Sequence, residues 1–271
     1  MQENLNDILP GLDLQNIIEF LLAFFLTSIR LSAFLIASPL FGANFIMVRV
    51  RIVVAMVVSA IIFSTQNVPV DPSILTSSMG IVIIFKEIAI GATAGLILSI
   101  MFATASLAGE KIATSAGLSY AAQVDPVSGV QTPVVSQILA LFLLLVFLSV
   151  DGHLVALRII IESYNMVPIG NLPVPSTLIQ GGMEASGSMF LNAAIIMLPV
   201  IIVVLLINVS IGIITRSAPQ LNLFSFGFPI TIFSTFVILY VSVGNMGLAF
   251  SDLINASLDH LMQTIRGISD G

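Results

Sequence analysis

Long apolar stretches separated by short breaks form the pattern of hydrophobic and polar positions along the chain. An α-helix needs about 20 apolar residues to cross a bilayer, and six stretches reach about that length. They cover residues 17–38, 45–65, 80–106, 134–161, 187–214 and 221–250. The pattern predicts an all-α, polytopic membrane protein with about six hydrophobic helical segments and no separate soluble domain.

The breaks between these segments are rich in turn-forming residues. Gly, Pro, Asn and Ser recur in them, as loops require. They cover residues 38–44, 67–72, 117–133, 168–182 and 216–222. Pro199 lies inside the fifth apolar segment, where it removes a backbone hydrogen bond, and Gly227 and Pro229 lie near the start of the sixth. These segments are either kinked helices of a bundle or broken helices whose freed backbone is covered by protein or water.

The composition excludes a soluble fold. The 271 residues are 58% hydrophobic and 8% charged, and the mean hydropathy is +1.13, whereas about a quarter of the residues in soluble domains are charged. Because the chain has no cysteine, disulfides, thiolate catalysis and cysteine-based metal sites are excluded. A net charge of −6 without a basic cluster argues against nucleic acid as a partner.

The few charges predict an orientation in the membrane. Basic residues follow the first, third and fifth segments: Arg49, Arg51, Lys111 and Arg216. The other loops and both ends of the chain are net acidic, including the N-terminal segment 1–16 and the polar C-terminal tail 252–271. Since basic loops stay in the cytoplasm, we expect both termini on the outer side.

Four charges fall inside apolar segments. Lys86 and Glu87 lie in the third segment, and Glu19 and Arg30 lie eleven positions apart on nearly the same face of the first. Neighbouring helical residues point about 100° apart, so we expect Lys86 and Glu87 to neutralise each other poorly. Charges within the membrane usually face a partner or water, which indicates a channel-facing or subunit-facing surface. The alternative is snorkelling to the interface, which suits Glu19 better than Lys86.

Gly91 and Gly95 form a GxxxG step in the third segment. Small residues four apart allow another helix to approach closely. The step therefore predicts tight helix packing, with a partner either in this chain or in another one.

No group of residues has the pattern of a catalytic site. Asp151 and Gly152, with Ser149 and His153 beside them, end an apolar run and predict a turn or helix end. His260 lies in the polar tail, and no glycine-rich nucleotide-binding loop is present. We therefore expect no catalytic residues, no metal and no cofactor, and transport would need energy from elsewhere.

Residues 117–133 are too apolar for an ordinary solvated loop and too rich in Gly, Ser and Pro for a stable helix. Such a segment needs cover from other protein. It is either a buried connector or a loop that plugs a passage.

Seven motifs in a fixed order extend over roughly residues 20–250. They are Phe85-Lys86-Glu87-Ile88 followed by Gly91, Ala108-Gly109-Glu110, Gly117-Leu118-Ser119, Val124-Asp125-Pro126, Asp151-Gly152-His153, Pro168-Ile169-Gly170, and Arg216-Ser217-Ala218-Pro219-Gln220-Leu221-Asn222 through Gly227-Phe228-Pro229. In this order they resemble the FliR family, the flagellar type III export-gate component with counterparts in virulence secretion systems.

The resemblance implies a non-enzymatic role. FliR-like proteins join FliP-like and FliQ-like subunits, with an FlhB-like subunit associated, in a helical hetero-oligomer of kinked and broken hairpins. This gate lets unfolded proteins leave the cytoplasm at the flagellar basal body in the bacterial inner membrane, and much of it is held above the bilayer plane. Residues 1–271 would then form a single integral membrane export-gate domain.

The resemblance also implies roles for individual residues. The plug loop of the family maps onto Gly117–Pro133, with Leu118, Tyr120 and Val124 occluding the passage, since an apolar constriction resists water and ions. The candidate plug residues are Gly117, Leu118, Ser119, Tyr120, Val124, Asp125, Pro126, Gly129 and Pro133. The candidates for intramembrane charge or a subunit interface are Lys86, Glu87, Gly91, Gly95, Glu110, Arg216, Pro219 and Gln220.

A stand-alone secondary transporter of a small solute is the alternative function. Kinked helices and the intramembrane Lys86 and Glu87 are compatible with it. Transporters usually contain inverted repeats, however, and the two halves of this chain do not match convincingly. An intramembrane hydrolase is less favoured still, because no nucleophile–base pair is apparent.

Overall fold

The computed structural model describes residues 14–40, 47–65, 78–118, 133–170, 175–218 and 226–269. Nearly all of these residues lie in α-helices, and no strand occurs among them. The helices are α1 Leu14–Ala37, α2 Val48–Thr65, α3 Ser78–Ser115, α4 Val134–Ser149, α5 Gly152–Met166, α6 Pro175–Ser217 and α7 Phe228–Ser269. The predicted all-α membrane fold is confirmed.

Within the described residues, four helical stretches are long and apolar enough to cross a membrane. They are Phe20–Ala37, Met79–Ser115, Ser176–Ser217 and Phe228–Ile268. The helices α4 and α5 meet at a bend of 67° and count together as a possible fifth span. The structure therefore does not confirm the number of six, because a run of apolar residues does not reveal where a helix bends or continues into polar sequence.

The ends of the helices agree with the predicted breaks in some places and differ in others. The turn predicted at Asp151 and Gly152 is confirmed: Asp151 has a φ of 55° and separates α4 from α5. The predicted loop 168–182 extends too far, because α6 begins at Pro175. Proline is tolerated in the first turn of a helix, so it marks a helix start there.

The described chain divides into two compact units. Unit 1 comprises the described parts of residues 1–99, 154–183 and 259–271, and unit 2 those of residues 100–153 and 184–258. In unit 1, Phe20 of α1 packs edge-on against Phe63 of α2 with ring centroids 4.8 Å apart. Residues of α3, of the segment after α5 and of α7 form a small apolar cluster there: Ile90, Val167 and Ile268.

A close contact between α3 and α4 organises unit 2. A Cβ added at Gly109 would lie 2.5 Å from the Cα of Ser136, and the Ser136 hydroxyl donates to the carbonyl of Ser106 at 2.9 Å. Further along, the rings of Phe102 and Phe147 pack edge-on with centroids 5.6 Å apart. Since residue numbers fall along one helix as they rise along the other, α3 and α4 form an antiparallel hairpin.

The described part of the polar C-terminal tail, residues 252–269, continues α7 as an amphipathic helix. Its charged side chains Asp252, Asp259 and Arg266 are exposed. The opposite face is buried and apolar: Leu253, Ile254, Leu258, Leu261, Ile265 and Ile268. The charges of this segment therefore line one side of a packed helix.

Candidate functional site

The candidate residues that the structure describes lie in both units. Lys86, Glu87, Gly91 and Gly95 belong to unit 1. Those in unit 2 are Glu110, Gly117, Leu118, Pro133 and Arg216. The other candidates lie outside the described residues: Ser119, Tyr120, Val124, Asp125, Pro126, Gly129, Pro219 and Gln220.

The centre of the charged cluster is an ion pair between Arg30 of α1 and Glu87 of α3. Both side chains are completely buried. The Arg30 Nε donates to Glu87 Oε2 at 2.6 Å, and Nη2 donates to Oε1 at 3.1 Å. Two parallel bonds of this kind give the strongest carboxylate pairing that a protein offers, so the pair fixes α1 against α3.

The remaining donors of Arg30 contact α5 and the residues after it. Nη1 donates to the hydroxyl of Ser163 at 3.0 Å, and Nη2 donates to the carbonyl of Val167 at 2.9 Å. The guanidinium carbon lies 4.3 Å from the ring centroid of Tyr164, within the range of a cation–π contact. The Tyr164 hydroxyl itself donates to the carbonyl of Thr27 on α1 at 2.6 Å. Arg30 therefore joins three helices.

Lys86 is a second cation in this cluster. Its Nζ donates to the carbonyl of Pro168 at 3.1 Å and lies 3.6 Å from Glu87 Oε1. Val167 and Pro168 follow the end of α5, where helix carbonyls carry partial negative charge. These carbonyls supplement the carboxylate of Glu87, so one carboxylate serves two buried cations.

Sequence reasoning identified Glu87 and Lys86 but missed the partner of Glu87. It aligned Arg30 with Glu19 on the same helix, whereas Arg30 bonds Glu87, 57 positions away. The available signal was the presence of opposite charges in two different apolar segments, which bury their cost by pairing with each other.

The GxxxG step packs against α1 of the same chain. A Cβ at Gly91 would collide with the carbonyl oxygen of Arg30, and one at Gly95 would lie 2.6 Å from the Cβ of Ala37. One turn later, the Ser99 hydroxyl donates to the Ala37 carbonyl at 2.6 Å. The partner left open by the sequence is therefore α1, which runs parallel to α3.

The candidates of unit 2 lie near the ends of helices. Glu110 on α3 and Arg216 in the last turn of α6 are exposed. Gly117 follows α3 with a φ of 83°, a conformation that glycine adopts without strain. Pro133 precedes α4, and its carbonyl accepts from the backbone N–H of Gln137 at 3.2 Å. These residues form the described ends of the segment 117–133.

Chemically reactive side chains are sparse in the part of the chain that the structure describes. No three His, Asp or Glu residues come together there in a way that could hold a metal ion. The Nδ1 atom of His153 is buried without a hydrogen-bond partner. The polar groups of the buried cluster bond each other and backbone carbonyls, an arrangement that joins helices.

Comparison with known proteins adds the family. The family model described as "Bacterial export proteins, family 1" matches residues 21–257. The chain is 31% identical over 242 residues to the flagellar biosynthetic protein FliR of Pectobacterium carotovorum subsp. carotovorum, covering 89% of each chain. The FliR protein of Escherichia coli (strain K12) is 30% identical over 242 residues, again with 89% of each chain covered.

A virulence-system protein is also similar. The surface presentation of antigens protein SpaR of Shigella flexneri is 28% identical over 230 residues, which cover 82% of this chain and 84% of SpaR. The match to the family model and the relatives of at least 30% identity both extend over most of the chain, from the helix that carries Arg30 to the amphipathic end of α7. The chain therefore belongs to the FliR family of bacterial export proteins.

Proposed function

We propose that this chain is a non-enzymatic subunit of the export gate in a flagellar-type, type III protein export apparatus. The observation that carries the proposal is the family match over residues 21–257, which includes α2 to α6 completely. The named relatives are flagellar biosynthetic proteins in two bacteria and a surface presentation protein in a third. The chain forms and closes a passage through which unfolded proteins cross the bacterial inner membrane at the flagellar basal body.

The partners of the chain are FliP-like and FliQ-like membrane subunits, with an FlhB-like subunit associated. The exposed surfaces of α6 and α7 support such an assembly. Only 22% of the span Ser176–Ser217 and 17% of the span Phe228–Ile268 are buried within the chain. Surfaces as apolar as these require lipid or another protein as cover, and a gate subunit meets both.

Residues 117–133 act as the plug of the passage. The hairpin of α3 and α4 supports this assignment, because Gly109 and Ser136 hold the two helices in close contact. The segment therefore begins and ends on a firm base. Leu118, Tyr120 and Val124 supply apolar side chains that exclude water and ions, and Gly117 and Gly129 let the segment move aside during export.

The chain crosses the membrane with both termini on the periplasmic side. The basic residues that support this orientation lie at helix ends. Arg49 and Arg51 are in the first turns of α2, Lys111 is in the last turns of α3, and Arg216 is in the last turn of α6. These ends face the cytoplasm by the positive-inside rule.

Co-expression tests the assignment as a gate subunit. The chain, tagged for purification, is produced together with FliP-like and FliQ-like proteins, extracted in detergent and weighed by native mass spectrometry. We expect a stable heteromeric particle that contains this chain. A well-folded particle of this chain alone, with both partners present and folded, would contradict the proposal and favour the transporter alternative.

Shortening the segment tests the assignment as a plug. Residues 119–132 are replaced by a short Gly-Ser linker, the assembled complex is reconstituted into liposomes, and K⁺ release is measured. We expect a faster release than from the unaltered complex, at equal amounts of assembled particle. Unchanged K⁺ release would overturn the plug assignment and leave the subunit assignment intact.

A further inference from the structure

The side chain of Asn208 on α6 joins three helices of unit 2. Its Nδ2 donates to the carbonyl of Ser115 on α3 at 3.1 Å. Its Oδ1 accepts from the hydroxyl of Thr231 on α7 at 3.0 Å. The two ends of one amide thus connect the C-terminal end of α3 with the N-terminal part of α7.

The acceptor on α3 lies at the base of the segment 117–133. Ser115 is the last residue of α3, and the last carbonyls of a helix have no partner within the helix. Two residues later the chain turns at Gly117, whose φ is 83°. The bond from Asn208 therefore holds the helix end immediately before the chain changes direction.

The surroundings of Asn208 make these bonds important. Asn208 belongs to the span Ser176–Ser217, whose hydropathy of 3.0 is the highest of the described spans. Leu205, Leu206 and Val209 beside it are exposed apolar side chains. In such surroundings an amide has little water to bond, so its partners are found in neighbouring helices.

The bond from Thr231 can be exchanged for another. Thr231 is almost completely buried, and its hydroxyl lies 3.0 Å from the Gly227 carbonyl as well as 3.0 Å from Asn208 Oδ1. A hydroxyl has one proton to donate. Turning that proton to Gly227 releases Asn208 without leaving the hydroxyl unsatisfied, so the connection to α7 can break at low cost.

We propose that Asn208 and Thr231 are positioning residues that latch the end of α3 and thereby keep the export gate closed. The inference rests on the proposed function, since the latched helix end carries the segment assigned as plug. With the latch closed, Ser115 and Gly117 hold the base of that segment in one place. When Asn208 lets go of Ser115, the base moves and the passage opens.

K⁺ release from liposomes that contain the assembled complex tests the latch. Asn208→Leu removes both bonds in a side chain of similar size, and Thr231→Val removes the hydroxyl alone. A hydrogen bond between membrane helices shifts an equilibrium about threefold on average, so we expect about a threefold faster release for Thr231→Val. Asn208→Leu is expected to reach up to about tenfold. Thr231→Ser keeps the hydroxyl and should restore slow release.

Two matched controls separate the latch from a general loosening of the helices. Thr235 is buried one turn beyond Thr231 and donates to the Thr231 carbonyl of its own helix. Ser210, two residues beyond Asn208, donates to the Leu206 carbonyl of its own helix. Thr235→Val and Ser210→Ala should leave K⁺ release unchanged. If Thr235→Val accelerates release as much as Thr231→Val, the latch is overturned.

A combined variant shows whether the latch acts through the segment. When residues 119–132 are already shortened, Asn208→Leu should add no further K⁺ release. Fast release from the shortened variant together with slow release from Asn208→Leu and Thr231→Val would overturn the latch and keep the plug. Slow release from the shortened variant would overturn the plug assignment itself. Should Asn208→Leu fail to assemble, Thr231→Val and Thr231→Ser decide.

Discussion

Arg30 is held on α3 from two sides. Its guanidinium forms two hydrogen bonds with Glu87, at 2.6 and 3.1 Å, and its backbone carbonyl lies against Gly91 one turn further along the same helix. The charge of Arg30 requires the carboxylate, because a buried charge is costly unless it is paired. The carboxylate can be reached only because Gly91 lets the two backbones approach. Packing and electrostatics thus select the same register of α1 on α3.

Removing the carboxylate of Glu87 should strongly destabilise the chain. Glu87→Gln keeps the size of the side chain but leaves the cations of Arg30 and Lys86 buried without a counter-charge. Breaking a buried ion pair on one side costs about 3–5 kcal/mol of folding free energy. We expect a much lower midpoint of thermal unfolding for the purified chain in detergent, with less of the chain recovered from membranes.

The same substitution in an exposed pair serves as the control. Arg158 Nε lies 2.7 Å from Glu162 Oε1 on α5, and the Arg158 side chain is 78% exposed. Exposed pairs contribute little because water screens them, so Glu162→Gln should leave the unfolding midpoint nearly unchanged. Equal midpoints for Glu87→Gln and Glu162→Gln would show that the Arg30–Glu87 pair does not hold the helices together.

Adding one methyl group at Gly91 should also destabilise the chain. The new Cβ meets the carbonyl of Arg30, a backbone atom that cannot turn away, and overpacking of this kind costs about 1–3 kcal/mol. Gly187→Ala on α6 is the matched control, because a Cβ there meets nothing within 4 Å. Alanine is favoured over glycine inside a helix by up to about 1 kcal/mol. The unfolding midpoint should therefore fall for Gly91→Ala and stay level or rise for Gly187→Ala; a fall of the same size in both would contradict the close contact.

The sequence predicts the local features of this fold better than the pairing of its helices. An apolar run of about 20 residues is enough to predict a helix, and Asp151-Gly152 is enough to predict the break after α4. The extension of α7 to Ser269 was not predicted, because charged side chains there lie on one exposed face of a helix. The Arg30–Glu87 pair depends on how α1 lies on α3. Periodicity within one helix carries no information on that, and it aligned Arg30 with Glu19 instead.

The glycine step illustrates the same limit at the candidate site. Gly91 and Gly95 predicted a close approach of another helix, and the structure provides one in α1. Nothing in the step itself names the partner. Likewise, Asn208 looks like an isolated polar residue in an apolar run. Its link to Ser115 and Thr231 becomes visible only when three helices are brought together.

The turn at Asp151 should respond in opposite ways to two substitutions. Asp151 has a φ of 55°, a left-handed conformation that costs most residues about 1–2 kcal/mol. Asp151→Gly removes the strain and should raise the unfolding midpoint slightly, whereas Asp151→Val, with a branched side chain, should lower it. Glycine at Asp252, an exposed position inside α7, should instead cost about 0.5–1 kcal/mol. If Asp151→Gly were as destabilising as Asp252→Gly, the aspartate side chain itself would be needed at the bend.

The proposed orientation can be measured by labelling single cysteines, since the chain contains none of its own. Ser269→Cys places a thiol at the end of α7, and Ser217→Cys places one beside Arg216 at the end of α6. If both termini are periplasmic, a membrane-impermeant maleimide should label Ser269→Cys in cells whose outer membrane alone is permeabilised. It should label Ser217→Cys only after the inner membrane is opened, because basic loops are retained in the cytoplasm. The reverse pattern would invert the topology. The cytoplasmic end of α6 would then be periplasmic, and Arg49, Arg51 and Arg216 would have to be held there by partner subunits rather than by the positive-inside rule.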